Sequence, residues 1–338
     1  LSAWLQRHWE TRTWVAFALL PVSWLFLIAL CVRHALYRMG VLRTHRLPVL
    51  VIVVGNVRLG GSGKTPLVMW LAQTLRAAGE RPGILSRGHG GERAKAHANP
   101  VSVNAQSDPA QVGDEPVMLA QRCAVPVWVG VDRVAAGRAL LAAHPDCTVL
   151  ICDDGLQHQA LARDLEIALV DARGFGNGWL FPAGPLREPA TRLNRVDAVV
   201  VRETKHRDGF AMQLVPRELV NLVDPARTLP LTALHDQRVH AVAGIGVPQR
   251  FFAQLRALGM QVIEHPFDDH HPFVAADVHF DDTHPVILTE KDAVKCAAFA
   301  QAHWWSLPVD AELDPAFGVW MHQRLQQLRG VPDGYKAT

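Results

Sequence analysis

The sequence contains no C-x-x-C pair, and its five cysteines (Cys31, Cys123, Cys147, Cys152 and Cys296) are scattered and odd in number. That argues against a disulfide framework or a zinc knuckle. It fits a reducing compartment, with each thiol acting as a small apolar residue. An excess of charge is also lacking. The formal net charge is +2 over 338 residues, so nothing in the overall balance calls for a nucleic-acid partner. No internal repeat or low-complexity tract stands out. From Thr13 to Val32 charge is absent altogether: "TWVAFALLPVSWLFLIALCV".

That uncharged run is the first positive feature. As a helix it would span about 30 Å, one hydrocarbon thickness, with Pro21 and Ser23 as its weak points. Arg7 and Arg12 flank one end; Arg33, Arg38, Arg43 and Arg46 flank the other. No small-x-small cleavage site follows, which argues against a removed signal peptide. A buried core helix is the bland alternative. The preferred reading is a helix that spans a membrane or lies in its interface, with the larger arginine cluster keeping the following domain cytoplasmic. Trp4, Trp9, Trp14 and Trp24 suit the headgroup region, although tryptophan also fills ordinary cores.

From Leu47 the pattern changes. "LPVLVIVVGNV" is a short continuous apolar run, as expected of a strand buried on both faces. "TPLVMWLAQTLRAAG" has helical periodicity and a glycine stop. Strand-like and helix-like stretches then alternate as far as "DAVVVRE". The alternation lapses near Met212–Leu231 and restarts at "RVHAVAGIGVPQRFFAQLRALGMQVIEHPF". The expected fold is α/β: a P-loop NTPase-like parallel sheet wrapped by helices, a second smaller α/β lobe, and an N-terminal membrane-associated helix. The expected divisions are 1–46 for the helix and its basic flank, 47–215 for the nucleotide-binding core, and 216–330 for the smaller lobe.

"LGGSGKTP", residues 59–66, carries the second half of the P-loop template G-x-x-x-x-G-K-[ST], with Arg58 where the first glycine should stand. Backbone N–H groups of Gly60, Gly61, Ser62 and Gly63, with the helix start at Lys64, Thr65 and Pro66, would cradle the phosphates of a nucleotide. Lys64 would reach the β- and γ-phosphates, and Thr65 would hold Mg²⁺. "VLICDDG" ends a buried strand in Asp153 and Asp154, where P-loop proteins keep an acid for Mg²⁺ or its water shell. Which of the two lies nearer the metal stays open.

Competing P-loop classes are tested by what they would require. A GTPase needs [NT]-K-x-D, but in "TEKDA" Lys291 and Asp292 are adjacent. A transporter ATPase needs an LSGGQ-like segment, and none is found. A partitioning ATPase needs a lysine where Leu59 stands. The remaining motifs occur in the order "VGNVRLGGSGKTP", "SRGHGG", "VGDEP", "DDGLQH", "GNGWLFPAGPLREP", "DDHH", "LTEKDAVK". Together they resemble the tetraacyldisaccharide 4′-kinase family, the lipid A 4′-kinases of Gram-negative bacteria, over the chain as far as about residue 298.

The resemblance implies ATP-dependent phosphorylation of the 4′-hydroxyl of a tetra-acylated glucosamine disaccharide 1-phosphate, at the cytoplasmic face of the bacterial inner membrane. It makes Asp114 the base for the sugar hydroxyl, Glu115 a contributor to the Mg²⁺ site, and His270 a partner that approaches Asp114 across the cleft. On the residues alone, Asp114 and Glu115 could simply favour a helix N-terminus. Likewise Asp268, Asp269, His270 and His271 could form a polar loop or, more weakly, a transition-metal site. Lys64 and Asp154 join Asp114 and His270 as catalytic candidates. Arg87, Gln157, His158, Asn177, Arg187 and Glu188 are candidates for binding the lipid substrate. His89 stands where the family usually has tyrosine. Arg133 would steady phosphate charge or be a surface arginine. The membrane surface is the other expected partner, and no obligate protein partner is expected. A membrane-anchored nucleotide switch that phosphorylates no lipid is the rival function.

Overall fold

In the computed structural model, which describes residues 4, 7–61, 63–96, 99–202 and 209–330, the apolar run after Leu47 becomes β1 (Leu50–Gly55), buried from Val51 onward. It pairs in parallel with β5 (Val149–Asp153) on one side and β6 (Leu165–Val170) on the other. Beyond β5 lie β2 (Pro82–Ser86), β4 (Val127–Val129) and β3 (Val101–Val103). Beyond β6 lie β7 (Ala198–Arg202), β8 (Phe210–Pro216) and β15 (Val309–Leu313). Only the two edge strands, β3 and β15, run antiparallel to their neighbours.

The alternation of side chains along a strand explains the two cores. Ile52 and Val54 face a core shared with Leu67 and Leu71 of α3 (Lys64–Ala77), Leu119 of α6 (Asp114–Cys123), and Phe317 and Met321 of α10 (Pro315–Gly330). Val51 and Val53 face the opposite core, with Val134 and Leu140 of α7 (Arg133–Ala143). Short helices α4 (Glu92–Lys95) and α5 (Pro109–Val112) lie between β2 and α6.

The second lobe is a six-stranded sheet in the order β10 (Thr228–Leu229), β9 (Leu219–Asn221), β14 (Trp304–Leu307), β13 (Val286–Thr289), β11 (Arg238–Ala243), β12 (Gln261–Pro266). Helix α8 (Pro248–Ala257) joins β11 to β12, and α9 (Glu290–Cys296) follows β13. The stretch 212–231, which lacks a clear period, thus holds most of β8 together with β9 and β10. The chain also leaves this lobe before residue 330. β15 returns to the first sheet, with Val309 opposite Pro216 and Leu313 opposite Met212, and α10 packs into the first core. An antiparallel pair whose strands are separated by a whole lobe leaves no local period to read.

At the N-terminus, Thr13 caps α1 (Trp14–Ala18) by accepting from the Ala16 N–H. Pro21 then sits in the first turn of α2 (Leu20–Arg38), where its missing N–H costs nothing. The uncharged run is therefore two helices, the second extending to Arg38. Ser23 is the buried residue of α2, whereas Trp24, Leu25, Ile28 and Val32 are each more than half exposed. The buried-core alternative does not hold. By length and composition α2 can cross a membrane.

Candidate active site

β1 delivers the chain to the phosphate-binding loop, and α3 carries it away. Gly63 caps α3 with φ +85°, and a Cβ there would stand 2.6 Å from Nη1 of Arg202. Gly60 is also left-handed, at φ +97°. The carbonyl of Gly61 accepts from Nη2 of Arg173 at 2.6 Å. Lys64 Nζ lies 3.2 Å from Oδ1 of Asn56 and 3.2 Å from Oδ1 of Asp154. Thr65 is buried in the first turn of α3, beside Pro66. Ser62 lies outside the described residues. Arg58, in the place of the missing glycine, is buried. It donates to the Arg173 carbonyl at 3.0 Å and pairs with Glu10, so it ties the N-terminal segment to the base of the loop.

β5 lies beside β1, with Asp153 opposite Val54. Asp153 is 2% exposed and its Oδ1 has no hydrogen-bond partner. Burial, then the field of Glu115, pushes its carboxyl up to about 7. Asp154 behaves oppositely. Burial would raise it, but Lys64 and then Arg187 hold it well below the usual carboxylate range. Nη1 of Arg187 reaches both of its oxygens, at 3.0 and 2.8 Å. Gln157 completes this network: its Oε1 is 3.4 Å from the same Nη1 and its Nε2 donates to the Asn56 carbonyl at 3.1 Å. His158 is pushed down to about 4 by burial and by Arg133. Arg133 is buried rather than a surface residue, and its Nη1 donates to the Val131 carbonyl at 2.9 Å.

The two lobes meet where α6 packs against α9. Asp114 opens α6 and is 4% exposed. Its Oδ1 accepts the Glu115 N–H at 2.8 Å, and its Oδ2 lies 3.1 Å from Nδ1 of His270. His270 comes from the loop after β12, with a left-handed backbone at φ +62°. Burial would raise the Asp114 carboxyl, but the His270 hydrogen bond and Lys291 lower it. The bond to Asp114 raises the His270 imidazole against the opposing effect of burial. His89 is exposed, with its ring 5.3 Å from that of His270. Partial desolvation beside the lobe interface, then His270, lowers its imidazole, and Arg87, exposed on the same loop, adds to this. His271 turns away to Asp277 at 3.0 Å, and among the described residues no group of three or more His, Cys, Asp or Glu can hold a metal ion. The transition-metal alternative at 268–271 therefore finds no support.

Two site residues escape the sequence reading. Lys291 Nζ lies 3.2 Å from Nε2 of His270, 3.3 Å from Asp269, 3.6 Å from Glu115 and 3.9 Å from Asp114. Lys295 Nζ lies 2.6 Å from Asp292 and 3.9 Å from Asp114. Both lie in "LTEKDAVK", a stretch that carries the family resemblance but gives neither lysine a role.

The "GNGWLFPAGPLREP" loop divides. Arg187 faces Asp154, but Asn177 and Glu188 are buried among protein partners. Asn177 Nδ2 donates to the Ala183 carbonyl at 2.8 Å and Oδ1 accepts from the Trp179 N–H at 3.0 Å. Glu188 pairs with Arg192 at 3.2 Å. Both therefore hold the loop's shape instead of presenting polar atoms to a ligand. The loop also grips the N-terminal segment. Trp9 Nε1 donates to the Pro182 carbonyl at 2.9 Å; Ser23 Oγ donates to the Leu180 carbonyl at 2.9 Å and accepts the Ala183 N–H at 3.0 Å. Arg33 of α2 donates to the Gln157 carbonyl at 2.7 Å.

Known proteins resemble this chain over nearly its whole length. Residues 15–326 match the family model described as tetraacyldisaccharide-1-P 4′-kinase (LpxK). The chain is 51% identical over 333 residues to a tetraacyldisaccharide 4′-kinase of Azoarcus sp. (strain BH72), covering 95% of each chain. It is 49% identical over 329 residues to that of Methylobacillus flagellatus, covering 97% of each. Among solved structures it is similar to LpxK from Aquifex aeolicus in complex with ATP, with TM-score 0.77 and 30% identity, over 92% of this chain and 99% of that one.

Proposed function

The chain belongs to the tetraacyldisaccharide 4′-kinases and is an ATP-dependent kinase of lipid A synthesis that phosphorylates the 4′ position, and we propose how its own residues do so. The acceptor is the tetra-acylated glucosamine disaccharide 1-phosphate. Each buried CH₂ of its acyl chains contributes about 0.8 kcal/mol to membrane retention, so the active site must work at the bilayer surface. The exposed face of α2 serves as the anchor at the cytoplasmic side of the inner membrane, and exposed Arg38 and Arg43 meet anionic headgroups. Arg33 and Arg46 already have protein partners, the latter in Asp164 at 3.0 Å.

The loop from Gly60 to Pro66 holds the phosphates of ATP, with Lys64 on the phosphate that moves. Asp153, Glu115 and Thr65 fit Mg²⁺. They are oxygen donors, and Asp153 has an unpartnered buried oxygen and a carboxyl driven up by burial and by its neighbour Glu115, the arrangement a hard cation relieves. Mg²⁺ there supplies charge neutralisation for the phosphates. Asp154 is committed to Lys64 and Arg187 and positions the lysine. Asp114 accepts the proton of the 4′-hydroxyl as the new O–P bond forms and the bond to ADP breaks. His270 orients its carboxylate. Arg87, Gln157, His158 and Arg187 are left as acceptor-side candidates.

The observation that carries this reading is the contact between Asp114 and His270, which brings a buried carboxylate of one lobe and an imidazole of the other together where the lobes meet. The test is Asp114→Asn assayed with labelled ATP and the lipid acceptor in mixed micelles. General-base loss predicts a fall of about 10²–10⁴ in turnover with ATP binding retained. Undiminished lipid phosphorylation would remove Asp114 from the role of base.

A further inference from the structure

Lys291 is nearly enclosed at the lobe interface, yet its closest partner is not a carboxylate. The shortest contact, 3.2 Å, is to Nε2 of His270; Asp269, Glu115 and Asp114 follow at 3.3, 3.6 and 3.9 Å. An ammonium group has three donors and no acceptor. Donation from Lys291 to Nε2 therefore requires a lone pair on that nitrogen. In neutral imidazole one nitrogen carries the hydrogen and the other accepts. The hydrogen must then sit on Nδ1, the atom 3.1 Å from Oδ2 of Asp114, a carboxylate that can only accept.

We propose that Lys291 is a positioning residue for phosphoryl transfer, fixing His270 as the Nδ1–H tautomer so that the imidazole donates to Asp114. This rests on Asp114 being the base and adds two consequences. His270 is not the acceptor of the 4′-hydroxyl proton at Nδ1, because that position is already filled. The proton stays on Asp114, and His270 keeps its own. Lys291 also fastens the arrangement across the lobes. Its own helix, α9, and Asp269 and His270 belong to the second lobe, whereas Asp114 and Glu115 belong to the first. A simple interlobe ion pair would need only the carboxylates; the contact with Nε2 also dictates where a hydrogen resides.

The experiment combines kinetics with ¹⁵N NMR of imidazole-labelled full-length protein in micelles, with the His270 signals assigned by loss in His270→Asn. At a pH alkaline enough to make the imidazole neutral, wild-type His270 is expected as the Nδ1–H tautomer. In Lys291→Met its Nε2–H form should appear, kcat should fall about 10- to 100-fold, and KM for ATP should stay within about threefold. Lys291→Arg, which still donates, should restore the tautomer and part of kcat. In a His270→Asn background, Lys291→Met should cost little more, because the two act as a unit. A wild-type His270 carrying its hydrogen on Nε2 would overturn the proposal even if the Met variant does not fold. So would equal kcat losses from Lys291→Met in both backgrounds, or an unchanged tautomer in that variant. Activity retained in Asp114→Asn would instead sink the base assignment and leave the tautomer result standing.

Discussion

Ser23 is the buried point of an otherwise exposed helix, and removing its hydroxyl should loosen the grip of the 177–188 loop on α2. The Ser23 Oγ donates to the Leu180 carbonyl at 2.9 Å and accepts the Ala183 N–H at 3.0 Å, and Ala183 is fully buried. Ser23→Ala removes both bonds and leaves the buried Ala183 N–H without that partner, while the Leu180 carbonyl keeps the Gly184 N–H at 2.9 Å. An orphaned buried polar group costs about 1–3 kcal/mol. Taking about 2 kcal/mol as a local cost, the docked state loses roughly 30-fold in its equilibrium with an undocked one. The apolar face of α2 is untouched, so membrane association should persist. The assay is amide exchange read on a peptide covering 179–187 in nanodisc-bound protein. The Ala183 amide should exchange faster by about that factor, while amides of β1 keep their protection. Unchanged exchange at Ala183 would refute the inference that this hydroxyl joins helix to loop.

Further outcomes follow from the same geometry. Gly63→Ala should weaken ATP binding about 5- to 30-fold, because φ there is +85°, a conformation that costs a non-glycine residue about 1–2 kcal/mol, while the Arg202 Nη1 that a Cβ would meet at 2.6 Å is the end of a side chain that can move; nucleotide titration checks this. Arg122→Met should destabilise the protein by roughly 2–4 kcal/mol in thermal or urea unfolding, since it strands Glu290 (at 2.6 Å), whose carboxyl burial already raises, while Asp310 keeps Arg217. The Asp153 carboxyl is raised to about 7 from its ordinary value near 4 by burial and Glu115, so without Mg²⁺ the unfolded chain releases this proton first as pH rises. The stability of wild type relative to Asp153→Asn should therefore be greatest below pH 4 and fall up to about pH 7. A difference that stays flat across that window would contradict it.

The parts of this molecule that were legible in sequence are those with local causes. β1 and β5 are continuous apolar runs because both faces are covered, and the lysine of the phosphate-binding loop follows a glycine whose left-handed φ marks the start of a helix. Asp114 and His270 were legible through motif resemblance, and the fold brings them within 3.1 Å. Lys291 was not, because its importance lies in four partners gathered from both lobes, which no spacing along the chain encodes. Asn177 and Glu188 misled for a related reason. A polar residue in a glycine- and proline-rich loop looks available for a ligand, but this loop is folded onto Trp9 and Ser23, and its polar groups serve that packing. The single-helix reading of 13–32 failed locally: Thr13 caps one short helix and Pro21 opens another.

The pairing of β8 with β15 carries a consequence for the molecule's modular build. Pro216 stands opposite Val309, so everything between them leaves and re-enters the large sheet at a single doorway two strands wide. The smaller lobe is an insertion into a unit that owns both the earliest and the latest described elements of the chain. Domain insertions of this kind join neighbouring strand ends. A short turn from Pro216 to Val309 would therefore excise the inserted lobe while leaving the nine-stranded sheet, the phosphate-binding loop and α10 in one continuous chain. Such a minimal protein would retain Asp114 and lose His270, Lys291 and Lys295 in one cut. Asp114 and the phosphate-binding loop thus stay on one side of the cut while the groups around Asp114 go with the other, and chimaeras exchanging only residues 217–308 would replace those neighbours of Asp114 without touching the loop.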